Sequence, residues 1–215
     1  MKLYVYDHCP FCVRARMIFG FKNVNVEVVF LANDDETTPI KMIGKKMLPI
    51  LETNEGSYIA ESLDIVNFVD EIDGKTSLTR PLSDGISVWI DSASSVIFKL
   101  AIPRWALSEY PEFAKESARN YFVSKKESIF GSFTTLLKDS EVYLSEVNEK
   151  LLELDTILSV YQYSESMWSM SDIQLFPLIR ALSVVKGIKW PANVDMWREK
   201  ISEQSHVALE DDVAL

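Results

Sequence analysis

Leu3-Tyr4-Val5-Tyr6-Asp7-His8-Cys9-Pro10-Phe11-Cys12 runs a strand-like segment straight into the only two cysteines of a 215-residue chain. Residues 3–7 have the β-branched and aromatic content of a strand, while Val13, Met17, Ile18 and Phe21 recur at helical spacing behind the cysteines. The pair therefore sits at a strand-to-helix turn. With Cys9 near the N-cap, Pro10 takes the first helical position, where its missing N–H is no loss and its fixed φ suits the helix. Cys9 then faces unpaired backbone donors and the positive end of the helix dipole. Both favour the thiolate, which is the nucleophile. Cys12, one turn on, is within disulfide reach of Cys9 but shielded in the turn, so the geometry assigns an attacking and a resolving thiol.

Two plainer readings compete with redox chemistry. A structural disulfide across a C-x-x-C loop would close too short a ring to stabilise much of the chain. A zinc site needs four ligands, and within one chain only His8 and the distant His206 could join the cysteines.

Composition narrows the function. The chain is 47% hydrophobic and 25% charged, as expected of a globular protein with one large or two modest domains. A net charge of −10 and a pI near 4.8 repel phosphate backbones and anionic lipid, so neither nucleic acid nor membrane is an expected partner. The chain enters a strand at once, and no segment holds eighteen uninterrupted apolar residues. Two cysteines at redox spacing suit a reducing compartment, and a cytoplasmic location is expected.

Strand and helix signals alternate over residues 1–74. A strand at 2–7 leads to a helix at 10–21, and Val24, Val26, Val28 and Phe30 mark a second strand, completing a βαβ unit. A polar loop at 33–36 precedes a short helix at 38–46. Leu48-Pro49-Ile50-Leu51 and Ser57-Tyr58-Ile59 follow as strands joined by the Asn54-Glu55-Gly56 turn. From Ser62 on, Ile65, Phe68, Val69 and Ile72 have helical spacing, with Gly74 as the stop. Residues 75–85 lack periodicity and read as a linker.

Residues 86–215 carry helical signals only. One helix is expected from Ile86 to Leu100, ended at Pro103; a second spans Phe122 to Leu137. A third carries Val147 to Leu158, a fourth Ile173 to Leu182 and a last Val194 to Ile201. Ser169-Met170-Ser171-Asp172 has the form of a capping box, and the acidic tail from Glu203 is expected to fray.

A C-P-x-C turn opening the first helix of a β-α-β-α-β-β-α unit resembles the thioredoxin superfamily, and its glutaredoxin branch in particular. Leu48-Pro49 stands where that superfamily places a cis-proline opposite the active-site turn, and Glu61-Ser62 opens the next helix as in the glutathione-binding half of glutathione transferases. With the all-helical second half and the box at 169–172, the whole chain is similar to the large two-domain bacterial glutaredoxins that wear a glutathione-transferase fold. The chain departs at Phe11, where the commoner glutaredoxin turn has Tyr, and so lacks a hydroxyl beside the active cysteine.

The resemblance implies a thioredoxin-like α/β domain over 1–74, a linker over 75–85 and an all-helical domain over 86–215. It implies a glutathione-dependent disulfide oxidoreductase with catalytic Cys9 and Cys12, and a glutathione site from Pro10, Phe11, Leu48, Pro49, Glu61 and Ser62. A cis-Pro49 would leave the backbone of Leu48 free to pair, strand-like, with the cysteinyl residue of glutathione. Ser62 and the adjacent helix N–H groups would hold the γ-glutamyl carboxylate, and Glu61 its ammonium; simple helix capping is the plainer role for both. No metal and no resident cofactor are implied, with glutathione as cosubstrate. Partners would be glutathione and disulfide-containing or glutathionylated proteins, and a monomer is expected. His8 is taken as an exposed bystander, and Arg16 as a cation near the thiols or a solvated side chain. A glutathione transferase, a glutathione-ligated iron–sulfur module bridged between two Cys9 residues, and a thioredoxin-like reductase fed by a flavoenzyme are the rival functions.

Overall fold

The computed structural model describes residues 1–160 and 168–215. β1 (Lys2–Val5), α1 (Pro10–Phe21), β2 (Glu27–Phe30), α2 (Thr37–Ile43), β3 (Ile50–Glu52), β4 (Tyr58–Ala60) and α3 (Ser62–Asp70) follow the order read from the sequence. The sheet order is β2-β1-β3-β4, with β2 parallel to β1 and the other pairs antiparallel. Alternation along β1 buries Leu3 and Val5, and the sheet core continues into Ile50 and Leu51.

The second half contains β5 (Leu78–Arg80), α4 (Asp84–Leu107), a 3₁₀ turn at Pro111–Phe113, α5 (Glu116–Phe130), α6 (Phe133–Lys138), α7 (Ser140–Ser159), β6 (Trp168–Ser169), α8 (Met170–Ser183) and α9 (Ala192–Ser205). By length and composition α4 could cross a bilayer. Here it is a core helix, with Trp89, Ala93, Ile97 and Leu100 buried where it packs against α7 and α8.

Several expectations fail for reasons of packing. Pro103 does not end α4; the helix continues four residues because Trp105 and Ala106 are buried and Arg104 pins the last turn to Leu100 O, Ser140 Oγ and Leu215 O at 2.8, 3.1 and 3.0 Å. The helix expected over 122–137 is two, broken where Gly131 takes φ 87°, with Glu127 accepting the Phe133 N–H at the new start. Within the expected linker, β5 pairs in parallel with β6, and the Asp70 carboxylate takes the N–H groups of Ser77 and Leu78. The acidic tail is docked rather than frayed: Val207 is buried, Glu210 N–H donates to Ser183 Oγ, and Leu215 and Val184–Lys186 exchange backbone hydrogen bonds. The box at 169–172 is present, with Asp172 also accepting from Trp197 Nε1 at 3.0 Å.

The two halves share α1. Its residues Val13, Ala15, Met17, Ile18, Phe19 and Phe21 are all buried, because α3 of the first half and α8 and α9 of the second all pack on it. Phe21 stacks on Trp168 with ring centroids 4.5 Å apart. Arg180 of α8 reaches the β1–α1 turn, donating to Asp7 O at 2.9 Å and Asp7 Oδ1 at 3.0 Å.

Gly20 marks the tightest approach: a Cβ there would lie 1.9 Å from the Ser205 carbonyl oxygen at the end of α9. Alanine inside an isolated helix gains up to ~1 kcal/mol over glycine. Gly20→Ala should instead lose at least about 2 kcal/mol, because backbone cannot yield as a side-chain end does. Denaturant unfolding of the two proteins measures the difference.

Candidate active site

Cys9 is the N-cap residue of α1 and Pro10 the first helical residue, as the turn chemistry requires. Both thiols are free; Cys9 is half-buried and Cys12 has no exposed surface. Tyr6 N–H, which follows β1, points at Cys12 Sγ from 3.4 Å. The two sulfurs have opposite environments.

The Cys12 thiol donates a hydrogen bond to the Cys9 sulfur, and this is the largest influence bringing the Cys9 pKa down to about 6. Burial opposes the shift, while attraction to His8 and the N–H groups of Cys12 and Phe11 assist it. The helix-terminal donors thus contribute, but less than the partner thiol. Cys12 is pushed well above its ordinary value, first by burial and then by its bond to Cys9.

His8 is not an exposed bystander. It is buried, with Nδ1 2.6 Å from Glu112 Oε1. Arg16 is bound to Asp7 Oδ1 at 2.6 Å, and with Arg180 it outweighs the burial that would raise Asp7, so that this carboxyl titrates below its usual range.

Leu48–Pro49 is a cis peptide at the entry to β3. Phe11, Met47, Leu48, Pro49, Glu61 and Ser62 line a cleft of about 220 Å³. Five of the six residues expected at a glutathione site therefore meet there; Pro10 is buried in α1 and does not line it. Glu61 has φ 70°, a conformation unfavourable for a side chain that is not glycine, and makes no side-chain cap bond among the described residues. Plain helix capping does not account for it. Its carboxylate pairs with Lys45 Nζ at 3.2 Å, and the neighbouring Ser62 is buried at the first position of α3. Phe11 is 52% exposed, with the Arg14 guanidinium 4.9 Å from its ring centre.

On the other side of Leu48 a second cleft, about 280 Å³, opens between the halves and exposes Cys9 beside Tyr6 and His8. Lys46, Lys125 and Lys126 line it together with Tyr121 and Phe122. Lys46 Nζ lies 3.7 Å from the Tyr121 ring centre, and Tyr121 Oη bridges the halves by donating to Glu36 Oε1 at 2.6 Å. Sequence reasoning missed these residues and Glu112. Lysines on α5 look like any solvated helix face until that helix is set over Cys9.

Residues 85–214 match the family model for the C-terminal domain of glutaredoxin 2, and residues 3–77 match the N-terminal domain of glutathione S-transferase. Over 215 residues, the full length of both proteins, the chain is 43% identical to glutaredoxin 2 of Escherichia coli K12. It is similar, with a TM-score of 0.96 and 43% identity, to the crystal structure of glutaredoxin 2 from Salmonella typhimurium in complex with glutathione, covering 100% of this chain and 98% of that one. A glutathione transferase from Phanerochaete chrysosporium shares the fold at TM-score 0.70 and 14% identity, over 94% of this chain and 96% of the other.

Because the thiolate is the reactive form, alkylation of Cys9 by iodoacetamide should rise as pH climbs through about 6 and level off above it. A free cysteine would still be gaining rate near pH ~8.5. Mapping the alkylated peptide against pH checks both the midpoint and the predicted inertness of Cys12.

Proposed function

This chain belongs to the glutaredoxin 2 family and is a glutathione-dependent thiol–disulfide oxidoreductase; we propose that Cys9 attacks, that Cys12 resolves, and that glutathione docks in the cleft of Phe11, Leu48, Pro49, Glu61 and Ser62. The observation that carries this assignment is the asymmetry of the thiols: one half-buried and drawn toward thiolate, the other fully buried and held protonated at its side.

Cys9 thiolate attacks a substrate disulfide, forming a mixed disulfide and releasing one substrate thiolate. Cys12 then gives up its proton and attacks Cys9 Sγ, so that the second substrate thiol leaves and the Cys9–Cys12 disulfide forms. Two glutathione molecules reverse that oxidation. The first opens the disulfide to a Cys9–glutathione adduct, and the second attacks the adduct's glutathione sulfur, releasing oxidised glutathione and Cys9 thiolate. A glutathionylated substrate needs only the last exchange, after Cys9 has taken over its glutathionyl group.

In the docking cleft, Leu48 offers an extended backbone to the cysteinyl residue of glutathione. The first turn of α3 and Ser62 receive the γ-glutamyl carboxylate, and Glu61 its ammonium. Pro10 acts by presetting the turn rather than by contact. The electrons come from glutathione, so the assignment requires no resident metal or cofactor. Disulfide-bearing and glutathionylated proteins approach Cys9 through the lysine-lined cleft between the halves, and a cytoplasmic monomer is the form consistent with a net charge of −10 and with two cysteines at redox spacing.

Two sets of substitutions test this reading. Cys9→Ser should abolish all turnover, whereas Cys12→Ser should keep activity toward a small glutathione mixed disulfide and lose reduction of protein disulfides; coupled assays with glutathione as sole reductant separate these outcomes. Glu61→Gln should weaken the apparent affinity for glutathione roughly fivefold, the worth of an exposed ion pair of about 1 kcal/mol. Alkylation of Cys9 should remain fast in that variant, and unchanged glutathione dependence would return Glu61 to a purely structural role.

A further inference from the structure

His8 adjoins the attacking cysteine but is anchored by the helical half. Glu112, in the 3₁₀ turn between α4 and α5, receives on one oxygen both His8 Nδ1 at 2.6 Å and the His8 backbone N–H at 3.2 Å. Glu112 has no exposed surface, and its own carbonyl accepts from Asn33 N–H at 3.0 Å, fixing the turn against the redox half. Tyr6, Trp105, Tyr110, Phe113 and Phe122 box the imidazole, with centroids between 5.0 and 6.0 Å away.

The second carboxylate oxygen of Glu112 is buried and has no hydrogen-bond partner among the described residues. An unpaired carboxylate there would bear a large desolvation cost, which an imidazolium beside it offsets. The short N···O distance is that of a charge-assisted bond, and the Phe113 ring stacked on the imidazole at 5.3 Å adds cation–π attraction for a protonated ring. We propose that Glu112 is a positioning residue that holds His8 as imidazolium beside Cys9, so that the helical half of the molecule sets how much of the attacking thiol is thiolate.

The other charged groups around the pair have partners of their own or lie in the open cleft. Asp7 is bound by Arg16 and Arg180, and Glu210 by Arg180. Cys12 of α1 faces Cys9, Arg14 of α1 lies over the Phe11 ring and attracts Cys9, Tyr6 and Tyr110 flank the imidazole, and Lys46, Lys125 and Lys126 line the cleft. Attraction to His8 is among the influences that lower Cys9. The sign of the effect is diagnostic. A bare Glu112 charge repels a thiolate, so if His8 kept its proton regardless, removing that charge would make Cys9 more acidic. If Glu112 is what keeps the proton on His8, removing it makes Cys9 less acidic.

The inference rests on Cys9 being the attacking thiol, and its test uses iodoacetamide rather than glutathione, so its failure is separable from failure of the glutathione site. In the full chain, Glu112→Gln keeps the shape and an acceptor oxygen but loses the charge. The alkylation midpoint of Cys9 should rise by about one unit or more, cutting the rate at pH 5 about tenfold and leaving the high-pH plateau unchanged. Imidazole NMR is simple with two histidines in the chain: His8 should be protonated at pH 7 in the parent and neutral in the variant. An unchanged or lowered midpoint, or a neutral His8 in the parent, overturns the proposal. If Glu112→Gln does not fold, His8→Phe, which suits the aromatic box, must raise the midpoint in the same way, and an unchanged midpoint there is equally decisive.

Discussion

Helix α1 is buried by elements of both halves, and most of the molecule is arranged around that constraint. Its N-terminus holds the thiols, and the helix packs against α3 of the redox half and against α8 and α9 of the helical half. Gly20 lets the end of α9 come into backbone contact, an approach no larger residue permits. The helical half is therefore a wall of the redox domain's own core. Contacts from both halves cover α1, which is why the helix is apolar nearly all round rather than along one stripe.

Polar groups at the same junction are paired across it. Asp7, at the end of the first strand segment, is held by Arg180 from α8 and by Arg16 from α1, and Arg180 in turn holds Glu210. Arg180 and Glu210 are buried and Asp7 and Arg16 partly so; charges in such places add little net stability over apolar packing, but losing one partner leaves the other uncompensated. They fix the register in which the halves meet. That register places the aromatic cluster of α4, α5 and the intervening turn over His8, one residue from Cys9.

The redox asymmetry arises from ordinary helix chemistry refined by this packing. A thiol at an N-cap always meets backbone donors. Here the inner thiol, sealed at zero exposure, cannot ionise cheaply and donates its proton toward the outer sulfur instead. Burial of Cys12 thus activates Cys9. Both thiols belong to the protein itself, and the cleft lined by Phe11, Leu48, Pro49, Glu61 and Ser62 lies beside them.

Much of this was legible in the sequence because it depends on short-range patterning. Two-residue and helical periodicities, a proline after an N-cap cysteine, a hairpin turn and a capping box are each decided within a few positions, and β1 to α3 followed them. The grouping of Phe11, Leu48, Pro49, Glu61 and Ser62 followed in turn from a resemblance carried by short motifs. What only the tertiary structure decided are pairings that no local pattern encodes. Glu112 lies 104 positions from His8 and Arg180 lies 173 from Asp7. The continuation of α4 through Pro103, the docking of the acidic tail and the lysines facing Cys9 belong to the same class. Each is a polar or packing contact whose free energy exists only once two remote surfaces have met, so the residues that make it look like ordinary loop, helix and surface positions until then.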